Sequence, residues 1–391
     1  MKAFKPWYLA QSSIGVVQWV TVAILLTPII IEKTGSGTLM GQVMAILGGF
    51  GIVAPLLGLV ADKFDCHRLM QKLALLGHLG ALITLYFAGA ESWHYWLVGL
   101  LIGLGTVSML VLNPAFIISD ATNQEEEGQG LTRLFQSQFA GILVAGLLVA
   151  AMQLYQVPQQ QQLLALMVLV VLSLLATSLF PPNKVKQQSD DVTEEGQAEQ
   201  HQSAPTYIWV IFLVSVFFSM FLSSNLMEMG PIIIAKVFNV EMSSSAIGIA
   251  LSALLTIVVL EPVGRWMQHS GPYKVWTAAL GVYALVGFGL YFLIGTGVAS
   301  FVPVLLIVAL MQSISWFDMA IAAIAARLSP ASPALTQGLL LLAMASGFAI
   351  GTLLAGIGID AYGFESVITL SAIAISLAIV LASVVLVRKP K

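Results

Sequence analysis

Gly58-Leu59-Val60-Ala61-Asp62-Lys63-Phe64-Asp65-Cys66-His67-Arg68 ends a hydrophobic run with a glycine, an acid four residues on, and a short basic turn. A degraded copy stands 206 positions later (58 to 264) as Gly264-Arg265-Trp266-Met267-Gln268-His269-Ser270-Gly271-Pro272-Tyr273-Lys274. Gly264 falls on Gly58 and Lys274 on Arg68, while Asp62 becomes Gln268. The copy therefore keeps the turn and the terminal charge and loses the carboxylate. Matching loops at matching points of two hydrophobic halves indicate parallel internal repeats, a common construction in membrane transporters.

The rest of the chain fits a lipid solvent. Of 391 residues, 58% are apolar and 9% charged, against about 25% charged in soluble domains. The single cysteine, Cys66, excludes a disulfide framework and a thiolate metal site and reads as an incidental loop thiol. Met1-Lys2-Ala3-Phe4-Lys5 is basic, but the apolar segment behind it is too long for a cleavable signal and is expected to stay as a transmembrane helix.

Crossing the hydrocarbon core takes about 20 apolar residues. On that ruler the chain divides into spans near 7–31, 39–61, 70–90, 93–118, 132–155 and 162–180, and then 206–235, 245–267, 273–294, 300–328, 335–359 and 364–387. The expected fold is all-α and integral to the membrane, with twelve transmembrane helices in two pseudo-symmetric six-helix bundles. Residues 1–180 form one half and 206–391 the other. Between them, 181–205 carries Lys184, Lys186, Asp190, Asp191, Glu194, Glu195 and Glu199 among Gln and Ser, too polar to pack a core, and reads as a linker. With the N-terminus in the cytoplasm, fourteen of the sixteen Lys and Arg residues fall on the cytoplasmic side; Lys33 and Lys236 fall outside. The positive-inside rule thus puts both termini and the linker in the cytoplasm.

The paired loops and twelve spans resemble the Major Facilitator Superfamily. The resemblance implies that the loop latches the two halves in the outward-facing state, with Gly58, Asp62, Lys63 and Arg68 in one copy and Gly264, Gly271 and Lys274 in the other. Gly58 would let helix 2 approach a neighbour closely, and Asp62 would pair with a helix N-terminus or an Arg. Asp65 replaces the usual glycine, a change that Asp tolerates in a tight turn. A latch-free reading, a plain positive-inside anchor, is the alternative.

Ionisable groups at membrane depth are functional candidates by default. Asp318 leads, about four residues past the middle of its span in Gln312-Ser313-Ile314-Ser315-Trp316-Phe317-Asp318, with Ser315 one helical turn before it. A carboxyl there must pair or take up a proton, which makes it a proton-coupling candidate; a structural Asp bonded to a neighbouring helix is the bland reading. Glu228 is second, three residues after Asn225 and just before Gly230-Pro231, where the helix should break. Glu261 precedes Arg265 by four residues and reads as a structural ion pair. Gln11, Gly15 and Gln18 form one stripe of the first span, with Trp19 beside it, and Asn113-Pro114 lies toward the inner end of the fourth. In the superfamily, helices 1, 4, 7 and 10 line the substrate cavity, so Gln11, Gln18, Trp19, Asn113, Asn225, Gln312, Ser315 and Trp316 become cavity candidates. Each could instead bond a neighbouring helix. His78 reads as a packing residue. Arg133, expected to open the fifth span after Glu125-Glu126-Glu127, is an anchor or a substrate contact.

No Walker lysine loop is present, so ATP does not drive the protein directly. No metal-ligand spacing and no Ser-His-Asp set stands out, so no cofactor or metal is expected and an enzyme has little support. Proton-coupled drug exporters carry an Arg in the fourth helix and a Gly-Pro signature in the fifth, and both are absent here. Some segments are similar to the bacterial nucleoside–proton symporters: Ala54 to Lys63, Phe317-Asp318, Ser329-Pro330 with Gln337-Gly338, and Arg133 near their fifth-helix Arg. The similarity fails in helix 7, where Met227 and Gly230 replace their Gln and Asn, and Glu261 lies too far inward to match their eighth-helix Glu. The leading expectation is a secondary active transporter of a small polar organic solute, proton-coupled and working by alternating access. An antiport exporter of a drug, siderophore or metabolite, and a non-transporting sensor or membrane enzyme, are the alternatives. Its partners would be a small-molecule substrate, protons and membrane lipid, with no nucleic acid. It would act as a monomer in a bacterial-type inner membrane.

Overall fold

The structure, a computed structural model, describes residues 5–185, 205–330 and 333–388. The charged stretch from Lys186 to Glu199, and Lys2, Lys389 and Lys391, lie outside the described residues. Among the described residues twelve helices are long and apolar enough to cross a membrane. They are α1 Pro6–Thr34, α2 Gly37–Phe64, α3 His67–Tyr86, α4 Ser92–Asp120, α5 Gln124–Leu154 and α6 Gln159–Leu179. The second set is α7 Thr206–Glu228, α8 Met242–Ser270, α9 Pro272–Leu293, α10 Phe301–Leu328, α11 Pro333–Tyr362 and α12 Glu365–Arg388. Lipid offers backbone groups no hydrogen bonds, so each apolar run must satisfy its own as a helix.

Three local departures matter for the site. First, α5 starts at Gln124 instead of near 132, because the Asn123 side chain accepts from Glu126 N–H at 2.9 Å. Glu126 and Glu127 then lie near the start of the helix, where its dipole favours acids. Arg133 therefore sits well inside the helix and does not open it. Second, α7 breaks at Met229 (φ −107°, ψ −5°) and resumes as Gly230–Phe238, as the Gly-Pro pair led us to expect. Third, α1 is π-helical from Gly15 to Leu26, and Thr21 Oγ donates to Val16 carbonyl five residues back at 3.0 Å. A π stretch is rare and often marks a functional site.

The two bundles, α1–α6 and α7–α12, touch at one end and part at the other. Toward Asp360, α2 and α11 lie backbone to backbone. A Cβ on Gly41 would stand 2.5 Å from Thr352 carbonyl, and one on Gly356 would stand 2.4 Å from Gly37 carbonyl. Gly146 of α5 packs on Ala250 of α8 toward the same end. Toward Asp62, the last turns of α2 pack on α4 of their own bundle, and Leu56 and Leu59 are exposed. The cleft between the bundles therefore opens at the Asp62 end.

The duplicated loop is visible in the backbone. Asp65 has φ +45°, and Gly271, the residue 206 positions on, has φ +80°. Both loops turn through the left-handed side of conformational space, one on glycine and one on the Asp that tolerates it.

Candidate functional site

The inner face of the first bundle is held by a chain of buried amides. Gln71 Nε2 donates to Asn113 Oδ1 at 2.6 Å, Asn113 Nδ2 to Gln11 Oε1 at 2.8 Å, and Gln11 Nε2 to Gln138 Oε1 at 2.8 Å. This ties α3, α4, α1 and α5 together. Gln11 and Asn113 are thus occupied by neighbouring helices, which corrects their reading as open cavity groups: a buried amide takes a partner wherever one is in reach. Gln71 and Gln138, the other links, carried no sequence signal of their own. His78 is likewise internal, between Ser13 Oγ at 3.3 Å and Thr106 Oγ1 at 3.1 Å. Breaking the chain with Gln11→Leu strands Asn113 and Gln138 together. We expect a loss of about 1–2 kcal/mol, read as a lower melting temperature of purified protein. Unchanged melting with lost solute binding would instead make Gln11 a solute contact.

Gln18 leaves the stripe it was expected to share with Gln11. The π-helical register from Gly15 onward turns less per residue than an α-helix, so Gln18 swings away from α4 and α5 and toward the second bundle. Its Nε2 approaches Glu228 Oε1 of α7 at 3.5 Å, a contact between the bundles. Glu228 is fully buried, and its Oε2 has no partner among the described residues. Trp19 stays with its own bundle, edge-on to Phe139 of α5 at 6.4 Å between centroids.

In α10, Gln312 is consumed by α8. It donates to Ser252 carbonyl at 2.7 Å and to Ser252 Oγ at 3.0 Å, and accepts from Thr256 at 3.2 Å. Trp316 meets Trp266 of α8 edge to face, and Phe317 stacks on Tyr283 of α9 with centroids 5.3 Å apart. Those contacts fix the helix rotation and leave Ser315 and Asp318 on a face of α10 that they do not occupy. Asp318 is exposed there. Asn225 is buried and donates to Ser371 of α12 at 3.4 Å, with Oδ1 unpartnered. Arg133 is half-buried on α5 within electrostatic reach of Tyr8 in α1. Glu261 and Arg265 form the expected exposed pair.

At the parted end, Asp62 accepts from His67 Nε2 at 2.9 Å inside its own loop, and its side chain is 69% exposed. Lys184 approaches Asp65 at 3.8 Å, and Lys63 lies 5.7 Å from the centroid of the neighbouring Phe64 ring. Gly58 does not make the close approach expected of it: the nearest atom to a Cβ there is Val111 Cγ1 at 3.5 Å, an ordinary contact. Gly264 is similar, with Met319 Cε at 3.8 Å. With the bundles parted at this end, no helix crosses tightly at either glycine; the tight crossings of α2 have moved to Gly37, Gly41 and Gly48.

The sequence matches the Major Facilitator Superfamily over residues 7–316 and again over 212–391. The chain belongs to the Major Facilitator Superfamily. It is therefore a membrane transporter. No curated protein matches the chain. Among solved structures, two of the nucleoside transporter NupG, one of them a mutant, superpose with TM-scores of 0.73 and 0.71 at 16% identity. The first match covers 98% of this chain and 100% of NupG; the second covers 99% of each. A bacterial homologue of the human lysosomal transporter Spinster, inward-facing and unoccupied, matches at TM-score 0.68 and 13% identity over 100% of both chains. The human organic anion transporter MFSD10 (TETRAN) matches at 0.61 and 15%, over 96% of this chain and 98% of its own. At these identities the likeness carries the fold.

Proposed function

We propose that this superfamily member is a proton-coupled secondary transporter of a small, polar organic solute, operating by alternating access. The observation that carries the reading is Asp318. It is a carboxylate at membrane depth, on a face of α10 not taken up by α8 or α9, with no hydrogen bond or ion pair to another described residue. When the bundles close over this face the carboxylate loses its water, and a charge left there without a partner is costly unless it is neutralised, for which a proton is the simplest means. Glu228, sealed at the contact with Gln18, is the second carboxylate on the same path. Ser315, Asn225, Gln18 and Trp19 supply the polar and aromatic groups a polar solute would meet, and Arg133 stands nearer the parted end.

In this reading, residues 1–180 and 206–391 rock as two bodies joined by 181–205, and the parted Asp62 end faces the cytoplasm. Purified protein in proteoliposomes, challenged with a solute library under an imposed proton gradient, tests it. Nucleosides come first in that library, because of the NupG likeness. Uptake of no solute, with the protein intact, would favour a sensor. The orientation is tested separately. Tags at the N-terminus, within Pro181–Pro205 and at Lys391 should report cytoplasmic, and a tag between Glu32 and Thr38 should report outside. One terminus found outside overturns the orientation.

A further inference from the structure

At the closed end, a carboxylate from one bundle caps a helix of the other. Asp360, in the last turn of α11, accepts from Gly37 N–H at 2.5 Å through Oδ1 and from Thr38 N–H at 2.8 Å through Oδ2. Ser36 Oγ also lies 3.4 Å from Oδ2 as a donor. Gly37 and Thr38 open α2, and Ser36 is its N-cap, its Oγ accepting from Leu39 N–H at 3.1 Å. The first N–H groups of a helix have no partner within it. An acid often serves them from the same helix, in a capping box. Here α2 has no acid in its first turn, and the carboxylate arrives from α11, more than 320 residues away in sequence.

The capping contact exists only where the bundles meet. Gly37, Gly41 and Gly356 bring the α2 and α11 backbones together just beneath it; a Cβ on Gly37 would stand 2.5 Å from Ile359 Cγ2. Once the bundles part at this end, the carboxylate and the N–H groups must each turn to water. The interaction is therefore differential between the two gate states, which is the condition for it to bias them. It is also charge-assisted and aligned with the α2 dipole, so it exceeds a neutral hydrogen bond. Asp62, at the other end of the same helix, is bonded only within its own loop.

We propose that Asp360 is the positioning residue that holds this end of the transporter shut, by capping α2 from the opposite bundle. Helix α2 would then have an acid-mediated clamp at each end, Asp360 engaged across the bundles in this conformation and Asp62 bonded only within its own loop. The proposal rests on superfamily membership and alternating access, and not on the proton or the solute.

The test needs neither substrate nor coupling. Spin labels on the full-length protein in lipid nanodiscs, at Glu91 and Thr296 with Cys66→Ser, report the opening of the Asp360 end. Asp360→Asn should move the population about tenfold toward the longer distance. Thr38→Pro should shift it in the same direction: it deletes the backbone and hydroxyl donors of Thr38 without changing any charge, at a first-turn position where proline is tolerated. Glu365→Gln removes a carboxylate at the same end that does not touch α2, and should leave the distribution unchanged. If Asp360→Asn or Thr38→Pro keeps the unmodified distribution, Asp360 is not the clamp. An equal shift from Glu365→Gln would assign the effect to general surface charge and overturn the proposal as well. Because the readout is conformational, a failure of proton coupling leaves this result standing.

Discussion

Asp318→Asn is expected to bind and exchange solute but fail to concentrate it on a proton gradient. One pH unit across a vesicle is worth about tenfold accumulation per proton carried; the variant should stay near equal concentrations on the two sides. The difference between the two carboxylates is geometric. Asp318 is exposed, whereas Glu228 is fully buried at the Gln18 contact. The proposed coupling therefore assigns proton exchange in this conformation to Asp318 rather than to Glu228. Asn reproduces the neutral form in shape and hydrogen bonding, so the cycle should run without its driving ion. A purely structural Asp318 predicts the opposite split, with reduced stability and coupling intact in the surviving protein. If purified Asp318→Asn still concentrates solute when a proton gradient alone is supplied, coupling lies elsewhere, and Glu228→Gln is the next variant to measure.

The spans were legible because lipid leaves a backbone no other choice: an apolar run of sufficient length must be a helix. The duplicated turn was legible for a related reason. Asp65 and Gly271 both need positive φ, and few residue types supply it. Hydropathy puts the start of α5 near 132, because it cannot see the Asn123 cap that lets an acidic run begin a helix.

Side-chain direction was less legible. Gln11 and Gln18 share a stripe on an α-helix, but the π-helical stretch between them sends one into its own bundle and the other to Glu228. Periodicity carries no sign of that change in register. Asn113 and Gln312 looked like cavity groups, and both are spent on neighbouring helices, a matter of which helix lies alongside. Asp360 carries no sequence signal, because its partners are the backbone of α2, where residue type leaves no mark.

Asp62→Asn is expected to insert and accumulate normally yet lose most transport, by about tenfold or more. In the present conformation Asp62 is exposed and bonded only to His67, an arrangement of the kind worth roughly 0–1 kcal/mol. Its removal should therefore leave this state intact. The cost falls on the opposite state, where the Asp62 end must close and, by the superfamily resemblance, the carboxylate bridges the bundles. Gly58→Leu should act in the same sense. A Cβ at Gly58 has room now, with Val111 Cγ1 at 3.5 Å, but a bulky side chain would obstruct the helix that must approach when this end shuts. Gly264→Leu should be milder, because the flexible Met319 side chain is its nearest neighbour and can move aside. Flux in proteoliposomes, together with the Glu91–Thr296 distance, separates the cases. Asp62→Asn should favour the shorter distance and Asp360→Asn the longer, since each releases a different end of α2. Wild-type flux in both Asp62→Asn and Gly58→Leu would reduce the loop to a basic anchor that sets topology and has no part in switching.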